Sequence, residues 1–170
     1  AVADEWRAVD GDIDPRAMPL TGLANAAIDR IAPDPPGFAR GLAAYAECDL
    51  LCYRADSPAE LVARQAAAWD PLLDWARAAY DVDFVVTTGI MHRAQPPETL
   101  TRLQGAIASR DPFELAALSP VVTISGSLIG ALALVERAAD AEAVWLAAEL
   151  DAEWQAEQWG EDDLAIPARQ

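Results

Sequence analysis

Residues 57–80 read SPAELVARQAAAWDPLLDWARAAY, and residues 81–90 continue DVDFVVTTGI. Ser57-Pro58-Ala59-Glu60 has the form of a capping box, a hydroxyl residue with a carboxylate three positions on, and proline at the first helical position. The sequence behind it predicts a helix to about Trp69. Asp70-Pro71 predicts a fresh start, with a second segment through Leu72, Leu73, Trp75, Ala76 and Tyr80. Val82 to Thr88 is rich in β-branched and aromatic residues and is closed by Gly89, which predicts a strand.

On the N-terminal side, a short helix is expected over Ala1 to Val9, ended by Asp10-Gly11-Asp12 and Asp14-Pro15. A second runs from about Pro19 to Ile31, with Leu20, Leu23, Ala24, Ala27, Ile28 and Ile31 on one face. Pro33, Pro35 and Pro36 stop it, and a third follows from about Gly37 to Glu47. Leu50 to Arg54 is short and apolar, a second strand candidate able to pair with Val82–Thr88.

On the C-terminal side, helices are expected from Pro97 to about Ser109, from Asp111-Pro112, from Ser119-Pro120 and from Asp140 to Trp159, before Gly160. The uncharged stretch from Leu115 to Val135 is interrupted by Pro120. About fifteen residues then remain, short of the roughly twenty that a membrane-crossing helix needs, so a buried core helix is expected. Gly126 and Gly130, one turn apart, predict a close helix contact. The whole predicts a mainly α fold, a single compact domain over residues 1–170. It has seven to eight helices, a small two-stranded β element and an acidic, frayed tail at 161–170.

The chain carries 28 acidic and 12 basic residues, a net charge of −16, with 53 % hydrophobic residues. That much apolar content excludes a disordered chain. The charge disfavours nucleic acid and anionic lipid as partners and favours a basic or mixed protein surface. Cys48 and Cys52 make no disulfide framework, which points to a reducing, cytoplasmic setting. The start at Ala1, inside helix-like sequence, reads as a truncation. With His92 the cysteines give three soft ligands, one fewer than a structural zinc site takes, so no metal is expected. His92 is also the lone histidine, and no nucleophile motif accompanies it, so no catalytic set is expected. Thr87-Thr88-Gly89-Ile90 lacks the glycine run and the lysine of a phosphate loop.

The last helix is the most informative element. At 100° per residue Ala143, Ala147, Leu150 and Trp154 form an apolar face, while Glu142, Glu149, Glu153 and Glu157 gather along one edge. Glu149, Glu153 and Glu157 are i, i+4 neighbours that repel, with nothing basic between them in sequence. A solvated face accounts for this stripe, and so does a patch awaiting basic groups on a partner.

Several motifs in order resemble one family. They are Trp6, Ile13-Asp14-Pro15, Met18-Pro19-Leu20-Thr21, Cys52-Tyr53-Arg54-Ala55, Trp69-Asp70-Pro71-Leu72-Leu73-Asp74-Trp75, Thr87-Thr88-Gly89-Ile90, Gln95-Pro96, Gly126-Ser127, and Gln155 with Trp159-Gly160. Together they are similar to the assembly chaperones of the ATP synthase α subunit, of mitochondria and α-proteobacteria. The resemblance implies a mainly helical chaperone domain preceded in relatives by a β-rich one, and neither catalysis nor a cofactor. It implies transient binding of unassembled α subunit at the surface that later meets β, in the bacterial cytoplasm or, for eukaryotic relatives, the mitochondrial matrix. It also implies an acidic partner-binding residue in the final helix, Glu153 or Asp151; from the residues themselves, Glu149 and Glu157 of the same stripe and the aromatic Trp159 are candidate contacts beside it. Glu153, on the acidic stripe, is favoured. A non-catalytic helical scaffold with another client is the alternative.

Overall fold

Trp69 is completely buried in the hydrophobic core. The computed structural model describes residues 1–160 and contains eight α-helices: α1 (Val2–Arg7), α2 (Pro19–Asn25), α3 (Pro35–Ala43), α4 (Ala59–Tyr80), α5 (Pro97–Ala108), α6 (Pro112–Ser125), α7 (Leu128–Val135) and α8 (Ala141–Trp159). The predicted acidic tail lies outside the described residues. A two-stranded parallel sheet joins β1 (Tyr53–Arg54) to β2 (Thr87–Thr88), with Tyr53 opposite Thr87 and Arg54 opposite Thr88. The expected class, mainly helical with a small two-stranded element, is the observed one.

α7 occupies the centre. Its segment LIGALALV is apolar all round, and six of its residues, Leu128 to Ala133, are buried. A helix without a polar side has to be enclosed, and α4, α6 and α8 enclose it. No helix among the described residues is long and apolar enough to cross a membrane.

Several boundaries differ from the sequence expectation, each for a local reason. α4 is one helix of 22 residues that runs through Pro71. Proline there leaves the Ala67 carbonyl without its helical partner. Trp69, Leu72, Leu73 and Ala76 are all buried from the same stretch, and their packing holds the helix together. Ser57 does not cap α4: its hydroxyl turns to Asp56, and Pro58 occupies the cap with no side-chain bond. Ser119-Pro120 is likewise no start, because α6 continues through it to Ser125. There the chain turns at Gly126, whose φ of +67° belongs to the left-handed region that glycine enters without strain. Ser127 then caps α7, its hydroxyl accepting from the Gly130 N–H at 2.9 Å. Gly126 is therefore a helix terminator, and Gly130 alone makes the close helix contact expected of the pair. The strand candidates shrink to two residues each, with Leu50–Cys52 in a 3-10 turn.

Asp49 organises this corner. It is completely buried and accepts from the Leu51 N–H at 3.1 Å, the Ser127 hydroxyl at 2.8 Å and the Ile129 N–H at 3.0 Å. One carboxylate thus satisfies the 3-10 turn and the first turn of α7 together. At the other end of the molecule Glu5 in α1 accepts from the Leu20 and Thr21 N–H groups at 2.7 Å each, supplying α2 with a cap its own Met18 lacks.

Candidate functional site

α8 begins at Asp140, whose side chain accepts from the Ala143 N–H at 2.8 Å, and ends at Gly160. Its buried residues are Val144 and Ala147, with Leu150 and Trp154 half-buried. The inward face is therefore turned slightly from the sequence expectation, since Ala143 is exposed. Asp151 belongs to this inward face.

Three side chains of α4, those of Trp69, Gln65 and Arg64, reach α8. The Trp69 indole N–H donates to the Ala147 carbonyl at 2.8 Å. Gln65, also buried, donates through Nε2 to Asp151 at 2.7 Å and accepts at Oε1 from the Ala55 N–H at 2.8 Å. Arg64 lies 2.8 Å from both carboxylate oxygens of Glu157, and its guanidinium stacks 4.8 Å from the Trp154 ring centroid. The hydrogen bond from Arg64 is the main reason the Glu157 carboxyl sits below the usual carboxylate range.

The five sequence-expected contact residues thus fall into different surroundings. Asp151 and Glu157 are engaged by α4. Glu149 is half-buried. Glu153 and Trp159 point to solvent, Trp159 being 79 % exposed. The partly exposed Trp6 and Trp145 stand on separate helices. Arg64 and Gln65 were not anticipated. Gln65 was traceable: it lies four residues before Trp69, a polar side chain on the apolar face of an alanine-rich helix, and buried polar groups require partners. Arg64 gave no comparable signal, because its partner is 93 residues away in sequence.

The other groups considered from sequence have structural surroundings. His92 Nδ1 lies 3.2 Å from the Tyr53 hydroxyl. Cys52 is buried, and desolvation, aided by the Asp49 charge, pushes its thiol up to about 12. The Gly89 N–H donates to the Arg54 carbonyl at 2.8 Å, extending the β1–β2 pairing. No group of three His, Cys, Asp or Glu side chains among the described residues is placed to hold a metal.

Several of the motifs that carry the family resemblance form one lock. Arg54 reaches the Leu51 carbonyl at 3.2 Å and Asp70 at 2.7 Å, and lies 5.1 Å over the Trp69 ring. Trp75 meets Tyr80 edge to face at 5.7 Å. Gln95 is buried and bonds both the N–H (2.9 Å) and the carbonyl (3.0 Å) of Val85, acting as a strand neighbour where none exists. These residues hold the connections around α4, leaving the outer side of α8 to solvent.

Four matches place this helical domain, with its acidic outer helix, in a class of chaperones. The family model for the ATP12 chaperone protein matches residues 1–77. The crystal structure of Atp12 from Paracoccus denitrificans is 44 % identical with a TM-score of 0.94, the match covering 98 % of this chain and 71 % of that one. An aspartate-to-lysine mutant of the same P. denitrificans protein gives the same values. A protein of Agrobacterium tumefaciens is 42 % identical with a TM-score of 0.91, over 98 % of this chain and 62 % of its own. The chain belongs to the ATP12 chaperone family.

Proposed function

We propose that this chain is a holding chaperone in the assembly of the ATP synthase catalytic head, acting in the bacterial cytoplasm. Its client is the unassembled α subunit, bound over the surface that later meets β. Membership of the ATP12 chaperone family carries this proposal. The role requires neither catalysis nor a cofactor: exposed apolar side chains cover client surface that would otherwise aggregate, and charge fixes the orientation. The outward edge of α8 suits the second task. Glu142 and Glu153 are exposed on it, in a chain of net charge −16. Asp151 is engaged by Gln65, which favours Glu153 as the carboxylate offered to the client.

The test is suppression of α-subunit aggregation by Glu153→Lys at two salt concentrations, with Glu47→Lys on a remote exposed turn as the control. Glu153→Lys should fold like the parent, lose client protection several-fold at low salt, and differ less at high salt, where the attraction is screened. Full protection by a well-folded Glu153→Lys would remove Glu153 from the binding surface. Failure of the parent itself to hold α subunit, with β as competitor, would overturn the client assignment.

A further inference from the structure

An apolar groove of about 210 Å³ runs along the outside of the domain between α6 and α8. Val121 and Ile124 of α6, Leu134 of α7, and Val144, Trp145 and Ala148 of α8 line it. Its one hydroxyl, that of Ser125, donates internally to the Val121 carbonyl at 2.6 Å and makes no demand on a ligand. Ile124 is 68 % exposed and Trp145 43 % exposed, so the groove presents its apolar walls to water. From the groove-lining Pro120 the exposed apolar row of α6 continues away through Ala117 and Phe113.

The charges around this groove are one-sided. Taking about 100° per residue from Trp145, the exposed Glu142 and Glu153 lie about 60° and 80° round α8 on the side away from the groove-lining Ala141 and Ala148. The carboxylates therefore form a rail along the outer lip of the Trp145 wall. The α6 wall contributes Pro120, Val121 and Ile124 and no charge. At the end towards the α7–α8 turn, Arg137 and Asp140 line an adjoining hollow with Leu134 and Ala141.

We propose that this groove seats a basic amphipathic segment, with its apolar face between Ile124 and Trp145 and its Arg or Lys side chains along the rail of Glu142 and Glu153. The occupant follows from charge complementarity: an apolar peptide with acidic flanks would meet the rail with like charge. This rests on the chaperone function proposed above, in which the segment belongs to the client, and it locates the apolar half of that contact.

The test uses two probes, a fluorescent 18-residue Leu/Arg amphipathic peptide with its Leu/Glu counterpart, and unassembled ATP synthase α subunit. The variants are Ile124→Asp, which makes one wall polar, and Ala148→Trp, which fills the groove without changing charge. Thermal melts establish that each is folded. The Leu/Arg peptide should bind the parent, and both variants should weaken it about tenfold, as expected for losing burial of one large apolar side chain. The Leu/Glu peptide should not bind. Unchanged or tighter binding of Leu/Arg to Ile124→Asp would mean attraction to the negative surface alone, and would overturn the groove. So would α-subunit protection that both variants retain in full. If the variants abolish peptide binding while the parent never holds α subunit, the groove stands and the client assignment falls.

Discussion

The indole of Trp69 donates to the backbone carbonyl of Ala147 at 2.8 Å, joining α4 to α8 across 78 residues of sequence. Trp69 thus fills the core and fixes the axial position of α8. The two roles separate by substitution. Trp69→Phe keeps most of the packing and removes the bond, which should cost about 0.5–1.5 kcal/mol. Trp69→Ala also opens a cavity and should cost about 3–5 kcal/mol. Urea unfolding curves measure both, and equal losses would show that the hydrogen bond adds nothing to packing.

Gln65 is the polar pin of the same seam. Gln65→Leu preserves volume while stranding the Ala55 N–H and the Asp151 carboxylate, so a loss of about 1–3 kcal/mol is expected. Asp151→Asn retains an acceptor for Nε2 and should cost less than Asp151→Ala. Hydrogen exchange of the Ala55 amide reports the break directly: it should accelerate in Gln65→Leu and stay slow in Asp151→Asn.

Arg64 stacks on Trp154 and pairs with Glu157, so Arg64→Ala should lower the melting temperature, and added salt should narrow its gap from the parent. The Glu157 carboxyl is held low by Arg64. Its contribution is therefore present above the usual glutamate pKa and is lost as pH falls through the lowered folded value. Arg64→Ala should remove that acid-side loss. A melting-temperature gap indifferent to both salt and pH would assign Arg64 a packing role alone.

Asp49 works in the opposite sense. Burial pushes its carboxyl up to about 6, against the lowering effect of the bonds from Ile129, Ser127 and Leu51. The folded state then binds the proton more tightly than the unfolded chain. Its contribution is greatest below the unfolded pKa near 4 and is lost as pH rises through about 6. Asp49→Asn removes this titration. The stability difference between parent and variant should drift by on the order of 3 kcal/mol across that window. A pH-independent difference would show that Asp49 titrates at its ordinary value.

The two glycines of residues 126–130 should fail differently. Gly126→Ala places a side chain at φ +67° and should cost about 1–2 kcal/mol, with Gly126→Asn milder because asparagine tolerates that region. At Gly130 a Cβ would stand 3.3 Å from both the Ser127 hydroxyl and a Val144 methyl, so Gly130→Leu overpacks the α7–α8 contact and should cost about 1–3 kcal/mol or more. Melting of Gly130→Leu like the parent would remove that contact from the account of α7 burial.

The sequence by itself determined the class of the fold, because helix periodicity and an all-apolar segment such as Leu128–Val135 act locally. It also fixed the caps at Asp111 and Asp140, each of which accepts from N–H groups two or three residues ahead. The family was legible for a related reason: several of its motifs are the residues that lock α4, β1 and β2 together. What the tertiary structure alone decided lies in pairs distant along the chain. Pro71 and Pro120 read as breaks, yet burial of their neighbours outweighs one missing backbone hydrogen bond at each. Glu149, Glu153 and Glu157 read as one repelling stripe, until Arg64 arrives from another helix to neutralise the last of them. Asp49 and the groove beside Trp145 gave no local signal. A buried carboxylate is tolerated only where donors from two segments converge, and a groove exists only once α6 and α8 lie side by side.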